Sequence, residues 1–151
     1  MIKEVNGDIL LTDSKVIAHC VAPADHFESG LALSLRERYP AMVKDFRHYC
    51  YTHSPKAGDI WTWGGVGGMQ IVNLMAQEPA ESMRSRQHGG KASIVNLDRT
   101  LKALAKLAEE EKFDSISIPR LATGVGGLEW DEVKPSIEKY LGDIPIPVYV
   151  Y

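Results

Sequence analysis

The sequence predicts an α/β fold in which a mixed central sheet lies between two helical layers, a three-layer α/β/α arrangement. A near-continuous apolar run of strand length occupies 16–22, a pattern typical of a strand covered on both faces, and 115–118 is interpreted as a second buried strand. Residues 94–112 carry apolar side chains at helical spacing. Because strand-like and helix-like segments alternate, we expect residues 1–151 to form a single domain that binds ligands at the carboxyl ends of its strands.

The composition excludes several classes of protein. Hydrophobic residues make up 44% and charged residues 25%, which allows a full core without disulfides or a structural metal. The net charge of -3 provides no basic field, so we expect no general nucleic-acid affinity. Cys20 and Cys50 form no CxxC pair and no disulfide framework, which favours a reducing, cytoplasmic setting. No run approaches the roughly 18 to 20 apolar residues that span a bilayer, and the chain start lacks a signal-peptide pattern, so we expect no membrane partner.

The N-terminal part of the chain reads as short strands followed by two helices. Asn6-Gly7-Asp8 is a turn sequence between two β-prone runs, which places Asp8 at a strand or turn edge. Ser29-Gly30 opens a helix after the loop 23–28, and Pro40 begins the next helix, since proline is well tolerated in a first turn. The predicted elements are strands at 2–5, 9–11 and 16–22 and helices at 31–39 and 40–51.

The middle of the chain predicts a hairpin and a long loop. The β-prone runs 60–63 and 69–75 are joined by the glycine-rich stretch 64–68, and a hairpin is favoured over a phosphate loop because no helix follows. Residues 76–93 are polar and without periodicity, and a loop of this length is usually functional or mobile, so it is the candidate lid. Most of its charged side chains are expected to be ordinary solvated charges: Glu78, Glu81, Arg84, Arg86, His88 and Lys91.

The C-terminal part repeats the order strand, loop, helix. After the helix 94–112, the predicted elements are a strand at 115–118, a glycine-rich loop at 120–127, a helix at 130–141 and a β-prone segment at 145–151. Both strand–loop–helix units can direct unpaired backbone N–H groups and a positive helix end at an anion. The second loop alone is a weak motif, but two such loops in one small domain indicate a diphosphate.

Four stretches carry a family resemblance. They are Asn6-Gly7-Asp8-Ile9, then Val16-Ile17-Ala18-His19-Cys20 followed by Ser29-Gly30-Leu31-Ala32, then Ile71-Val72-Asn73-Leu74, and finally the run from Pro119 to Trp130. In this order they resemble the macrodomain family over nearly the whole chain. The resemblance is strongest to the branch of the terminal ADP-ribose protein glycohydrolase and the yeast-type ADP-ribose-1''-phosphate phosphatases. It implies that ADP-ribose is bound and that a bond at its distal ribose is hydrolysed.

The resemblance also assigns residues to the ligand. Asp8 would accept a hydrogen bond from the adenine amino group, beside the Ile9 backbone N–H. The first phosphate loop corresponds to Ser29, Gly30 and Leu31, and the second, which would wrap the diphosphate and reach the distal ribose, to the glycine-rich loop. The full set of expected ligand-binding residues is Asp8, Ile9, Cys20, Ser29, Gly30, Leu31, Thr123, Gly124, Val125, Gly126 and Gly127.

The chain departs from the branch where catalysis is concerned. The glycohydrolase uses a lysine nucleophile after the third of these stretches and an aspartate in the second loop, whereas this chain has Gln77-Glu78 and Gly126 there. If the chain is an enzyme, an activated water is therefore favoured over a lysine. Candidate catalytic residues are His26, Glu28 and His88, with Glu28 expected to face solvent because a carboxylate beside a diphosphate is unfavourable.

Several alternatives stay open. The chain could be a hydrolase acting on ADP-ribosylated protein, nucleic acid or ADP-ribose-1''-phosphate, or a reader that binds ADP-ribose without turnover. A role in reversing ADP-ribosylation of DNA bases is a third interpretation. His19 and Cys20 invite a nucleophile–base reading, but neighbouring strand residues point to opposite faces, so packing roles are expected. The histidines show no zinc spacing, and we expect no metal, no cofactor and a monomer.

Overall fold

The computed structural model describes residues 1–80 and 89–151, as four α-helices around one six-stranded sheet. The strands are β1 (Ile2–Glu4), β2 (Val16–Cys20), β3 (Ile60–Gly64), β4 (Gln70–Leu74), β5 (Ile116–Ile118) and β6 (Val148–Val150). The helices are α1 (Gly30–Arg38), α2 (Pro40–His53), α3 (Ile94–Glu110) and α4 (Trp130–Leu141). No helix in these ranges is long and apolar enough to cross a membrane.

The sheet is mixed, as the sequence predicts. Its strand order is β1-β6-β5-β2-β4-β3, and every neighbouring pair is parallel except β3 and β4. Since parallel strands end at the same edge, the segments that follow β1, β6, β5, β2 and β4 all emerge along one side of the molecule. This carboxyl edge is where a ligand site is expected in such folds.

Two apolar clusters cover the two faces of the sheet. Alternate strand residues point to opposite sides, so Val72 packs with α3 and α4 whereas its neighbour Ile71 packs with α1 and α2. The α3 and α4 face includes Leu104 and Ile137, and the opposite face is dominated by Phe27 and Phe46, all of them almost fully buried. The three-layer α/β/α prediction is confirmed.

Helix α3 shows why the amphipathic pattern was informative. Its N-cap Ser93 accepts a hydrogen bond from the Asn96 N–H at 3.1 Å, and the leucines at 97, 101 and 104 are buried. The helix ends at Glu110, earlier than predicted, because Lys112 adopts a left-handed φ of 54° that cannot continue an α-helix.

Residues 9–11 correct the prediction of a strand. Ile9–Leu11 forms a turn of 3-10 helix, because the Asp8 side chain accepts a hydrogen bond from the Leu10 N–H at 2.9 Å and acts as its N-cap. Apolar character alone could not distinguish this capped turn from a short strand. The other elements lie where they are predicted, with bounds that differ by up to three residues at either end, and the hairpin of β3 and β4 forms around a short 3-10 turn at Val66–Gly68.

Candidate functional site

A cleft of about 310 Å³ opens at the carboxyl edge of the sheet, between the loops that follow β2 and β5. Its size is at the lower end of the range for small-molecule sites, roughly 300 to 1,000 Å³. It combines backbone from both strand–loop–helix units with the last residues of β2. The lining residues are His19, Cys20, Asp25, Ser29, Gly30, Leu31, Ala32, Gln77, Pro119, Arg120, Ala122, Gly124, Val125 and Gly126.

The first loop (residues 21–29) is held in shape by Asp25. This buried carboxylate accepts hydrogen bonds from the N–H groups of Ala22 at 3.0 Å and Phe27 at 2.8 Å. Ala24 and Phe27 adopt left-handed φ values of 59° and 58°. This conformation costs free energy in residues other than glycine, so it persists only where surrounding contacts stabilise it. Burial of the Phe27 ring against Phe46 anchors this strained loop.

The first loop delivers the start of α1 to the cleft. Ser29 is the N-cap, but its hydroxyl makes no capping hydrogen bond. The N–H groups at a helix start have no acceptor within the helix, and the residues that carry them here, Gly30, Leu31 and Ala32, all line the cleft. Gly30 has a φ of 58°, which glycine adopts at little cost. The helix start is therefore free to bind an anion.

The second loop (residues 120–127) is a compact turn that closes on itself. The N–H of Leu128 donates to the Ala122 carbonyl at 3.0 Å, and the N–H of Gly127 donates to the Gly124 carbonyl at 3.0 Å. Thr123 turns its hydroxyl inward to the Arg120 carbonyl at 2.7 Å. A Cβ atom at Gly124 would meet nothing within 4 Å, so this side of the loop presents bare backbone to the cleft.

Gly126 is sterically constrained. A Cβ atom there would lie 2.7 Å from the Ala122 carbonyl oxygen and 3.0 Å from the Ala92 Cβ. The Ala92 N–H donates to the Gly126 carbonyl at 2.9 Å, which holds the two segments together. An aspartate, as in the glycohydrolase branch, would not fit at this position without movement of the backbone.

His19 and Cys20 form the floor of the cleft, and both line it because β2 ends there. The Asn73 amide nitrogen donates to the Trp61 carbonyl at 3.4 Å, so the amide oxygen faces His19 Nε2 at 2.7 Å and accepts a hydrogen bond from its N–H. Burial lowers the pKa of His19 to about 4, and burial raises the pKa of Cys20 to about 12 even though its thiol hydrogen-bonds the Ala122 backbone. At neutral pH the imidazole is uncharged and the thiol keeps its proton, and the two side chains hydrogen-bond different partners, Asn73 for His19 and the Ala122 backbone for Cys20.

Residues on both sides of 81–88 are fastened to each other. Gln77 is buried, donates from its amide to the Gly90 carbonyl at 3.0 Å, and pairs with Ala92 in an antiparallel bridge. Glu78 donates from its backbone to the Lys91 carbonyl at 2.8 Å. The paired segments 77–78 and 90–92 contact the second loop through Ala92. The predicted lid spans 76–93, and its central part, including His88, lies outside the described residues.

The cleft does not contain every predicted site residue. Of the expected set, it gathers Cys20, the first-loop residues 29–31 and the second-loop residues 124–126. Thr123 and Gly127 belong to the second loop but do not line the cleft, and neither do Asp8 and Ile9. Asp8 is exposed at the same sheet edge after β1, and the ring of Tyr151, the residue after β6, lies 4.0 Å from the Cβ position of Gly7.

The side chains of His26 and Glu28 are directed elsewhere. Neither residue lines the cleft. We expected Glu28 to face solvent, but it is only partly exposed, because its carboxylate lies 3.6 Å from the Arg36 guanidinium. The same guanidinium contacts the His26 carbonyl at 3.4 Å. A helical neighbour thus neutralises the carboxylate that the sequence places near the expected phosphates.

The remaining lining residues were not predicted as ligand-binding: His19, Asp25, Ala32, Gln77, Pro119, Arg120 and Ala122. Arg120 was within reach, because it belongs to the Pro-Arg motif that carries the resemblance. Asp25 has only the weak sequence signature of a turn-forming carboxylate, and nothing in the local pattern distinguishes Gln77 from a solvated loop residue. Among the residues that the structure describes, no three His, Cys, Asp or Glu side chains cluster as metal ligands.

Comparisons with known proteins agree with this geometry. The model of the Macro domain family matches residues 28–137. The chain is 25% identical over 149 residues to the DNA ADP-ribosyl glycohydrolase of Mycobacterium tuberculosis, covering 96% of this chain and 40% of that protein. It is 23% identical over 150 residues to the human ADP-ribose glycohydrolase OARD1, covering 97% of this chain and 88% of that protein. The chain thus spans about two fifths of the length of the mycobacterial relative.

A solved structure, the macrodomain of Mycobacterium tuberculosis DarG, superimposes with a TM-score of 0.85 at 22% identity, covering 100% of this chain and 97% of that one. This likeness shows the fold. Because the family model matches residues 28–137, which is more than half of the sequence, the chain belongs to the Macro domain family.

Proposed function

We propose that the chain binds ADP-ribose in the cleft between its two loops. The observation that carries the proposal is the convergence of two backbone anion sites on one cavity: the start of α1 on one side and the residues 124–126 on the other. A diphosphate between them is met by N–H groups from both sides. The names of the mycobacterial and human relatives, both ADP-ribosyl or ADP-ribose glycohydrolases, support ADP-ribose as the diphosphate.

The sheet order supports an elongated ligand. Asp8 follows β1, which lies two strands from β5, and neighbouring strands are about 4.8 Å apart. A ligand that reaches from the second loop to Asp8 must therefore extend about 10 Å along the edge, which suits a nucleotide with a diphosphate spacer. We assign the adenine to Asp8, whose carboxylate oxygens accept hydrogen bonds, as the N6 amino group requires.

The reaction that fits this site is hydrolysis of a bond at the distal ribose. The substrates would be ADP-ribosylated protein or nucleic acid, or ADP-ribose-1''-phosphate. Gln77 occupies the region of the branch lysine, and Gly126 that of the aspartate, so the chain's attack group would be a water held in the cleft. The uncharged His19 imidazole and the Gln77 amide are the polar side chains of the floor and wall that could hold such a water.

A reader without turnover is the second candidate, and the packing of Gly126 favours it. The position is closed to an acidic side chain by the Ala122 carbonyl and the Ala92 methyl group. We further propose that residues 1–151 act as one monomeric domain in the cytoplasm without a metal or cofactor. The free thiols of Cys20 and Cys50 are consistent with a reducing compartment.

One experiment separates the two candidates. The protein is incubated with a glutamate-linked ADP-ribosyl peptide, an ADP-ribosylated thymidine oligonucleotide and ADP-ribose-1''-phosphate, and products are separated by chromatography. Release of ADP-ribose from any of them supports the hydrolase. ADP-ribose binding by calorimetry without product from any substrate would establish the reader instead, and absence of binding would overturn the proposed function altogether.

A further inference from the structure

The rim of the second loop carries two cations, Lys91, which does not line the ADP-ribose cleft, and Arg120, which does. Lys91 lies over Gly127, where its ammonium nitrogen is 2.9 Å from the position of a glycine Cβ and its stem carbon Cδ is 3.1 Å from it. Any side chain at position 127 would displace Lys91. Gly127 also has a φ of 77°, so this glycine both permits the turn and makes room for the lysine.

The second cation is Arg120, at the other end of the loop. Its guanidinium carbon lies 5.1 Å from the centre of the Trp130 ring, and its side chain lines the cleft mouth. The neck of the loop brings the two ends together, since Leu128 hydrogen-bonds the Ala122 carbonyl. Arg120 on Trp130 and Lys91 on Gly127 therefore flank one short stretch of rim, which we call the cationic rim.

The two cations have no anionic partner within residues 1–80 and 89–151: none of the ion pairs there involves Lys91 or Arg120. The adjacent carboxylates are engaged elsewhere. Glu129 accepts from the Glu132 backbone N–H while Glu132 accepts from the Glu129 N–H at 3.2 Å, a reciprocal capping box at the start of α4. Both carboxylates are therefore held by backbone N–H groups, and neither forms an ion pair with Lys91 or Arg120.

We propose that the cationic rim binds the phosphodiester chain of a nucleic-acid strand whose ADP-ribosyl group occupies the cleft. The inference rests on the proposed function and adds the substrate class to it. A strand supplies repeating phosphates for two separate cations, and a guanidinium already stacked on an indole offers a flat surface for a neighbouring base. A protein substrate offers no comparable regular array of anions.

The test compares affinities for free ADP-ribose, ADP-ribosylated thymidine and a fluorescent single-stranded ADP-ribosylated oligothymidine at several salt concentrations. Where a substrate is cleaved, kcat/KM replaces the affinity. For the wild type, we expect the strand to bind at least several-fold more tightly than the monomer, with an advantage that falls as salt rises. Unmodified oligothymidine should bind far more weakly than the modified strand.

The variant Lys91→Met keeps the stem over Gly127 and removes the charge. It should weaken strand binding several-fold and reduce the slope of log affinity against log salt by about 1, while the affinity for ADP-ribose changes less than two-fold. Arg120→Lys keeps the charge and loses the flat stack, so it should weaken strand binding with an unchanged salt slope. Lys102→Met, an exposed lysine of α3, is the matched control and should change nothing.

Three results would overturn the proposal: a strand that binds no better than the monomer, a Lys91→Met loss that is equal for strand and ADP-ribose, or a glutamate-linked ADP-ribosyl peptide that shows the same Lys91-dependent gain. Each of these presupposes that ADP-ribose binds. Absence of ADP-ribose binding in the wild type is a failure of the proposed function and is recognised separately in the same titration.

Discussion

At the scale of single residues, burial decides what the polar groups of the cleft floor can do. His19 and Cys20 sit side by side and resemble a catalytic pair on paper. The surrounding apolar layer disfavours the charged form of each, lowering the pKa of the imidazole and raising that of the thiol. His19 is left as a neutral group whose orientation is set by Asn73, with one ring nitrogen donating to the amide oxygen.

The depressed pKa of His19 predicts a pH-dependent stability. In the unfolded chain a histidine titrates near 6.5, and in the fold the pKa is about 4. Above pH 6.5 the group is neutral in both states and the fold has its full stability. As the pH falls from 6.5 towards 4, only the unfolded chain gains the proton, so the free energy of unfolding drops, by up to about 3 kcal/mol from this group.

The measurement is urea unfolding at pH 7, 6 and 5 for the wild type and for His19→Gln, which retains a hydrogen-bonding side chain but does not titrate. The wild type should lose more stability than the variant over this range. Parallel pH profiles for the two proteins would show that His19 is protonated in the fold at the same pH as in the unfolded chain.

Asp8 is expected to contribute to adenine binding. Asp8→Ala should weaken the affinity for ADP-ribose by about 1 to 3 kcal/mol, the range for a hydrogen bond to a charged group. Asp8→Asn is the matched control, because its amide oxygen can still accept from the Leu10 N–H and preserve the 3-10 turn. Calorimetry measures both, and an unchanged affinity in Asp8→Ala would mean that the adenine is bound elsewhere.

At the scale of elements, the second loop owes its shape to contacts from another part of the chain. Ala92 lies against Gly126 and hydrogen-bonds its carbonyl, and Lys91 covers Gly127. The two glycines serve different purposes from Gly124, which meets nothing within 4 Å. Three glycines that look equivalent in the sequence therefore differ in how much a side chain at each position would cost.

This difference predicts unequal costs of substitution. Gly126→Ala should lower the free energy of unfolding by about 1 to 3 kcal/mol, since its methyl group must displace the Ala122 carbonyl or Ala92. Gly124→Ala has open space and no left-handed φ, so it should be neutral or slightly stabilising. Urea unfolding measures both, and equal stabilities for the two variants would contradict the packing described for Gly126.

The elements were largely predictable because they depend on local pattern. The periodicity of α3 and the buried runs of β2 and β5 follow from side chains a few positions apart. The run 9–11 was not, since a single hydrogen bond, donated by the Leu10 N–H to the Asp8 carboxylate, turns an apolar triplet from strand into 3-10 helix. Likewise, the pairing of Glu28 with Arg36 depends on the orientation of α1, which no local pattern encodes.

At the scale of the molecule, the parallel order of the strands assembles the site. Segments after β1, β6, β5, β2 and β4 meet at one edge although they are far apart in sequence. The family resemblance predicted that these two loops bind the ligand, and the structure has a cleft between them. Gln77 joins the cleft because of this long-range arrangement, which is why the sequence alone did not assign it. Tyr151 reaches Gly7 for the same reason.

The whole-molecule arrangement also predicts how anions are bound. The expected diphosphate is met by backbone N–H groups, and in the described ranges no carboxylate or imidazole cluster is arranged to hold a cation. Excess EDTA should therefore leave the affinity for ADP-ribose unchanged in a calorimetric titration. Loss of affinity with EDTA and its recovery with added Mg²⁺ would show that a metal bridges the ligand to the protein.

The central claim is that ADP-ribose lies between the two loops at the carboxyl edge of the sheet. Backbone NMR during titration with ADP-ribose tests it most directly, because every amide reports separately. We predict saturable chemical-shift changes for the amides of residues 29–32 and 124–127. The hairpin turn at Val66–Gly68 should change little, because it lies at the amino end of β4, at the edge of the sheet opposite the cleft. Absence of saturable shifts in both loops, or shifts confined to other regions, would contradict the account.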